Sequence, residues 1–394
     1  MTKNQTQSPS YLVKTPFYSY VIKYYNNNLG FRETKIFTLN KTGAKHIEQY
    51  IKTNKRTDFI DNLKDVDLNS IKIVGSFRKL MPIHFQIELT HSCNLACDYC
   101  YMNSKLYSKK LFNKISTSKL LDKLGQLRDK GVLEIGITGG EPTLHPDFDK
   151  ISQYALKNFE SVEIITNGVN YETIYNLIKL SNKYKHKLNL SMSFNMWYRN
   201  FDELWNNNFY IVKAIKKIKP LQPIRIICTD YKYSKKKTKI VEKKLLELGA
   251  KAVDYSYVSP IGRAKNKITE MYYINKYKQH KKNDKRVFTA NQRNCGLLFK
   301  HSAIDPKGNI RPCALFSDQI VLGNIFTDKN IDDFISKNIK LYNLFAPNKI
   351  ICKGCNFYDY CKGCIYKGLS NSNKNCNYKK YVKKEFPEVY RLVT

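Results

Sequence analysis

Two hydrophobic rhythms run through the chain. Between residues 83 and 260, short apolar-rich runs alternate with longer stretches in which apolar positions recur every three or four residues. The short runs predict strands at 83–89, 134–138, 161–166, 187–194, 224–229 and 252–258. Lys- and Leu-rich segments such as 118–130 and 237–248 predict the intervening helices. Six successive βα units imply an α/β fold with a parallel sheet, open or curved towards a partial barrel. Within strand five, Cys228 lies between Ile227 and Thr229 and reads as a small buried hydrophobe.

The flanks follow other patterns. Residues 11–80 contain no cysteine and combine strand-like runs at 18–25 and 34–39 with helix-like stretches at 42–52 and 57–63. On the first helix, Ile47, Tyr50 and Ile51 share one face, and the whole reads as a small α+β unit, with a winged-helix-like architecture expected. Residues 265–294 form a polar, Lys-rich connector, and from Cys295 onwards the chain is rich in Gly and Cys and poor in strands. One hairpin is expected there, turning at Asp305-Pro306-Lys307-Gly308. The resulting division is 1–80, 81–270 and 271–394. No apolar run approaches the ~18 residues of a membrane-spanning helix. Residues 1–10 are polar and lack the apolar core of a secretory signal, so a cytoplasmic location is expected.

Charge and cysteine content then narrow the chemistry. The 394 residues carry 68 Lys and Arg against 33 Asp and Glu, a formal charge of +35. The excess is spread among Asn, Ile and Tyr rather than gathered in a groove, which disfavours a nucleic-acid partner and suits attraction to an acidic one. Eleven cysteines in a cytosolic chain point to metal or redox chemistry rather than disulfides.

Directly after strand one comes Thr90-His91-Ser92-Cys93-Asn94-Leu95-Ala96-Cys97-Asp98-Tyr99-Cys100-Tyr101. Three thiolates on one short loop suit an iron–sulfur cluster with an open metal position, or structural zinc if a fourth ligand such as His91 joins them. The loop leaves the C-terminal end of its strand, where parallel α/β sheets place their chemistry. Strand two ends at the same rim in Gly139-Gly140-Glu141-Pro142, whose glycines permit close backbone approach to a ligand, and strand three in Thr166-Asn167-Gly168.

With these residues in order, the chain resembles the radical S-adenosylmethionine (SAM) superfamily, whose motif is a CxxxCx(aromatic)C loop followed by GGEP. The resemblance implies a partial (β/α)6, TIM-like barrel. It implies that Cys93, Cys97 and Cys100 bind a [4Fe–4S] cluster whose open iron takes SAM, with Tyr99 in the aromatic slot. Gly139, Gly140 and Glu141 would hold the amino end of SAM. Met192-Ser193-Phe194-Asn195-Met196 stands where the family often reads ISLDG, so Ser193 would contact SAM, and Arg199 would be a carboxylate partner. Val258-Ser259-Pro260-Ile261-Gly262-Arg263-Ala264 looks like the segment closing such barrels, which places Arg263 near the adenine. A surface salt bridge is the plain alternative for Arg263.

The later cysteines are similar to the SPASM extension of radical SAM peptide-modifying enzymes: Cys295, Cys313, then Cys352-x2-Cys355-x5-Cys361-x2-Cys364, and Cys376. Where that family has three residues before the last of the run, this chain has two. The resemblance implies two auxiliary [4Fe–4S] clusters, one on Cys295, Cys313 and Cys364, the other on Cys352, Cys355, Cys361 and Cys376. The N-terminal stretch Leu39-Asn40-Lys41-Thr42-Gly43 looks like the recognition element of pathways for ribosomally made, modified peptides, which implies a precursor peptide bound by β-augmentation.

The expected activity is therefore that of a radical SAM peptide maturase, cleaving SAM to a 5′-deoxyadenosyl radical and modifying a precursor peptide, with a thioether or other crosslink as the product. An external electron donor of flavodoxin or ferredoxin type is implied. A tetrapyrrole-pathway or sulfatase-maturing enzyme would use the same cofactors on another substrate. A zinc-rich nucleic-acid binder would fit the charge and the cysteines but not the GGEP rim.

Overall fold

The computed structural model describes residues 9–15, 19–63, 66–78, 81–106, 116–198, 200–230, 235–258, 260–265, 267, 269, 301–316, 320–328, 344 and 347–393. The central element is a parallel sheet of six strands that follow one another in chain order. They are β5 (His84–Glu88), β8 (Glu134–Thr138), β9 (Ser161–Thr166), β10 (Leu188–Asn195), β11 (Ile224–Asp230) and β12 (Ala252–Tyr257). Helices α3 (Thr117–Asp129), α4 (Phe148–Asn158), α5 (Tyr171–Leu180), α6 (Phe201–Asn207), α7 (Phe209–Ile218) and α8 (Lys235–Leu248) connect them. The first and last strands do not pair with each other, so the sheet is an open partial barrel.

Register separates two faces. Phe85, Ile135, Val162 and Leu188 lie side by side and are buried against helix residues such as Leu124, Ile151, Leu177 and Ile215. One position along, the opposite face carries Gln86, Gly136, Glu163 and Asn189. A parallel sheet covered by helices on both faces reads as continuous apolar runs. Here the alternation leaves a polar inner surface, as a barrel that receives a polar ligand requires. Cys228 is fully buried on the apolar side, as its sequence context implied.

The N-terminal unit holds β1 (Ser10–Lys14), β2 (Ser19–Asn26), β3 (Arg32–Leu39), α1 (Lys41–Thr53), α2 (Asp58–Asp61) and β4 (Lys72–Gly75). Its sheet has the order β3-β2-β1-β4, antiparallel except for the β1–β4 pair. Asn40 caps α1 by accepting a hydrogen bond from Gly43 N at 2.7 Å. Ala44, Ile47 and Tyr50 of α1 pack on Leu12 and Val21, whereas Ile51 is 42% exposed and outside the apolar face expected for it.

The other face of this sheet belongs to the barrel's own core. Tyr11, Val13, Tyr20, Ile22 and Tyr24 cluster with the barrel residues. Tyr24 donates to Glu134 at 2.9 Å, Tyr11 to Glu160 at 2.6 Å, and Arg32 pairs with Glu160. Glu134 opens β8 and Glu160 precedes β9, so the unit is docked at the barrel's N-terminal end. Neither β1 nor β4 was expected from the local pattern.

The C-terminal region is tied in by a sheet. Strands β13 (His301–Ile304) and β14 (Asn309–Arg311) form the expected antiparallel hairpin, and Gly308 takes φ +84° at its turn. Strand β15 (Gly323–Asn324) extends it. The alternating pattern did not show that β13 also pairs in parallel with β5, His301 beside His84, which makes the hairpin a continuation of the barrel sheet.

Candidate active site

The cysteine loop follows β5. Strand β6 (Ser92–Cys93) pairs with β7 (Lys105–Leu106), which closes the loop at its neck. Leu95 N donates to Cys93 Sγ at 3.4 Å and Ser104 N to Cys100 Sγ at 3.4 Å. The Asn167 amide, from the end of β9, reaches Cys93 Sγ at 3.7 Å and Asn94 Oδ1 at 2.7 Å. Donors aimed at sulfur suit thiolates that carry charge in a cluster. Burial pushes the Cys93 thiol up to about 11, and it raises Cys97 as well. The Cys93 and Cys97 thiols therefore hold their protons more tightly than exposed thiols do, and a bound metal must displace them.

Among the described residues, no three His, Cys, Asp or Glu side chains converge as a single-ion site requires. A [4Fe–4S] cluster takes one thiolate per iron, so three thiols spread along one loop, each approached by N–H donors or held by burial, fit that group. Here Cys93, Cys97 and Cys100 would hold it.

The rim glycines act first on this loop. Gly140 N donates to Thr90 O at 2.6 Å and Glu141 N to Ser92 O at 2.9 Å. A Cβ on Gly139, which has φ +145°, would lie 2.5 Å from Thr90 O, and one on Gly140 only 2.2 Å from Ser92 O. The close approach that the sequence reserved for a ligand is thus needed already for the loop backbone. Both glycines remain half-exposed, whereas Glu141 is fully buried. Its Oε1 accepts from Thr143 N, Thr143 Oγ1 and Thr166 Oγ1, and its Oε2 from Asn167 N at 2.7 Å. Burial raises this carboxyl, and the four hydrogen bonds oppose the shift. The carboxylate brackets the ends of β8 and β9.

Arg263 is no surface salt bridge. Its Nε donates to Cys97 O at 2.8 Å, its guanidinium to Ser104 O at 2.7 Å, and its backbone N to Cys100 O at 3.0 Å. Three carbonyls of the cysteine loop are thereby held from the far end of the barrel. Tyr99 stacks edge-on with Trp197 at 5.8 Å, and both pack on a small cluster of Val258, Ala264, Tyr360 and Cys361. Ser193 is half-buried on the polar face of β10, next to fully buried Met192 and Phe194. Arg199 and Ser259 lie outside the described residues.

Sequence reasoning missed two features here. Asn167 was noted only as part of a turn, and its reach to Cys93 depends on tertiary placement. Glu88, at the end of β5, forms a buried ion pair with Arg311 of β14, with side chains 0% and 4% exposed. A charge closing a strand whose alternate residues are apolar was a readable signal, but its partner lies in another part of the chain. A cavity of about 120 Å3 sits at the barrel's opposite end, between β3 and residues including His84, Glu134 and Glu163, and does not include the cysteine rim.

Of the auxiliary cysteines, Cys295 lies outside the described residues, Cys313 and Cys364 are both near Tyr366, and Cys364, Cys352 and Cys376 are all near Tyr378. Cys352, whose thiol burial pushes up to about 11, is near Cys355 and Cys376. Cys376 caps the helix Asn377–Glu385 by accepting from Lys379 N at 3.4 Å, and Cys364 caps Ile365–Ser370 in the same way through Lys367 N.

The chain is similar to several known proteins. The Radical SAM superfamily matches residues 87–221, and the iron–sulfur cluster-binding SPASM domain matches residues 295–365. The antilisterial bacteriocin subtilosin biosynthesis protein AlbA of Bacillus subtilis is 30% identical over 328 residues, 78% of this chain and 72% of its own. The mycofactocin maturase MftC of Mycobacterium ulcerans is 26% identical over 72% of this chain and 82% of its own. The fold is that of Streptococcus suis SuiB, solved with S-adenosylmethionine, with TM-score 0.63 and 18% identity over 95% of this chain and 97% of that one. SuiB has also been solved bound to its precursor peptide SuiA. With the cysteine loop and the GGEP rim inside the matched region, the chain belongs to the radical SAM superfamily and carries a C-terminal SPASM iron–sulfur domain.

Proposed function

We propose that this protein is a maturase that modifies a ribosomally made precursor peptide, with a crosslink such as a thioether as its product. The observation that carries the reading is the similarity to AlbA along most of both chains, a protein of bacteriocin biosynthesis. Together with MftC, it favours a peptide-derived substrate over the tetrapyrrole and sulfatase alternatives. The zinc-rich nucleic-acid binder is set aside by the family itself.

When bound, the [4Fe–4S] cluster and SAM supply a 5′-deoxyadenosyl radical that can take a hydrogen atom from the peptide. The chain's own contribution is placement. Asn167 and the backbone N–H groups of Leu95 and Ser104 orient the loop sulfurs, while Arg263 fixes the loop's carbonyls. Gly139 and Gly140 offer backbone at the rim for the amino end of SAM, with Glu141 behind them. Tyr99 packs on Trp197 beside the loop, and Ser193 stands on the polar face of β10. The polar inner face receives the peptide segment to be modified, and the barrel wall keeps water from it.

The precursor's leader is assigned to β3, one of the two edge strands of the N-terminal sheet, by strand addition. Two auxiliary clusters and an electron donor of flavodoxin or ferredoxin type complete the system, in the cytoplasm. Among the described residues no helix is long and apolar enough to cross a membrane.

The test is co-production with the short reading frame nearest its gene, followed by mass spectrometry. Loss of the mass of two hydrogens per crosslink is expected, and replacing Cys93, Cys97 and Cys100 together by Ala should abolish it along with 5′-deoxyadenosine. Reductive SAM cleavage by that triple variant would overturn the site assignment, and an unaltered peptide beside an active wild type would overturn the substrate.

A further inference from the structure

Asn371 follows the helix Ile365–Ser370 and is 2% exposed. Its Oδ1 accepts from Asn373 N at 3.0 Å, which fixes the orientation of the amide. Its Nδ2 donates to Gly368 O, with Lys367 O further off at 3.5 Å, and faces two sulfurs: Cys361 Sγ at 3.6 Å and Cys376 Sγ at 3.7 Å. Two residues on, Asn373 Nδ2 lies 3.7 Å from Cys355 Sγ. These three sulfurs, with Cys352, are the set that the resemblance to the SPASM extension assigns to one auxiliary cluster. The structure thus turns two side-chain amides, from one short loop, towards three of its four ligands.

We propose that Asn371 is a positioning residue for the second auxiliary cluster: the amide hydrogen not taken by Gly368 O is shared between the sulfurs of Cys361 and Cys376 and raises that cluster's reduction potential, with Asn373 adding the same effect at Cys355. Reduction adds one electron to a cluster whose sulfurs already carry negative charge. A hydrogen-bond donor at those sulfurs stabilises the reduced form more than the oxidised one. Lys379 N supplies a further donor to Cys376 at 3.4 Å, but a backbone N–H cannot be tuned by substitution. The side-chain amides can be. No bond forms or breaks in the couple, and the electron comes from the mediator of the titration.

The inference rests on the iron–sulfur assignment made above and is independent of the peptide substrate. Its test is therefore run without peptide or SAM. Anaerobically prepared full-length protein is titrated potentiometrically and read by electron paramagnetic resonance, and the relevant couple is the one missing from Cys376→Ala. In Asn371→Asp, which keeps the shape but turns a donor into a charged acceptor, the couple should move down. At the wild-type midpoint the reduced-to-oxidised ratio should fall at least tenfold, or 59 mV for a one-electron couple. Asn373→Asp should move the same couple in the same direction by less.

Asn371→Asp protein with full iron and an unmoved midpoint overturns the proposal. Should Asn371→Asp lose iron, Asn373→Asp decides: a downward shift supports the proposal, and an unmoved or raised midpoint overturns it. Failure here would leave the peptide-maturase reading untouched, because that reading is judged on the peptide's mass.

Discussion

At the scale of single residues, the site depends on side chains that are missing as much as on those present. Gly140 has no room for a methyl group, since Ser92 O would lie 2.2 Å from it and is backbone that cannot step aside. Gly140→Ala should displace the cysteine loop, so iron content should fall while auxiliary iron stays and 5′-deoxyadenosine formation is lost. Gly354 makes the contrast. Unlike Gly140 it has a left-handed φ, +74°, yet nothing lies within 4 Å of its would-be Cβ. Gly354→Ala should cost only about 1–2 kcal/mol of stability and keep all its iron by colorimetric assay. Both glycines were visible in the sequence, and the cysteine spacing and GGEP run pointed to this rim. What neighbours each glycine was not visible, because a methyl's fate depends on backbone brought in from elsewhere in the fold.

At the scale of elements, the six barrel strands were legible to within a residue or two because each is a local apolar run between helical segments. Pairings between distant parts of the chain were not. The barrel's link to the C-terminal hairpin is β13 beside β5, reinforced by Glu88 and Arg311, both nearly free of solvent. With no water to screen it, removing one partner strands a buried charge. Glu88→Gln or Arg311→Met should each cost about 3–5 kcal/mol. The double variant should lose less than the sum, because no lone charge remains. A double-mutant cycle by denaturant unfolding checks this, and strict additivity would mean that the pair is not coupled.

The N-terminal unit is held to the barrel by smaller ties. Tyr24→Phe removes a buried hydrogen bond to Glu134 and should lower stability by about 1–3 kcal/mol, read as a drop in Tm. Because Tyr11, Val13, Tyr20, Ile22 and Tyr24 share the barrel's core, deleting residues 1–80 would expose apolar surface and disturb the barrel too. Leader binding is better tested at the edge strand β3 than by truncation.

For the whole molecule, the relevant quantity is the charge of +35 spread over 394 residues. Such a field accelerates encounter with an acidic peptide and fades as salt shortens the screening length to about 8 Å near 0.15 M. Association of labelled precursor should slow as salt rises. A random oligonucleotide should bind only weakly and without sequence preference, with affinity collapsing between about 0.05 and 0.2 M salt. Oligonucleotide binding that survives the higher salt, with no peptide binding beside it, would redirect attention to a nucleic-acid substrate.

The pairing of β13 with β5 also has a meaning in time. The ribosome releases β5 early and β13 only after the whole barrel has emerged, on the order of ten to forty seconds later at ordinary elongation rates. Throughout that interval one border of the nascent barrel offers unsatisfied backbone groups to any neighbouring chain. Chains interrupted before His301 are expected to self-associate, which light scattering of a matching truncated product would reveal. Delivery of iron to the C-terminal cysteines and completion of the barrel wall are thus consecutive events in synthesis, and a cell that makes this protein quickly needs chaperones at that border before it can load those cysteines.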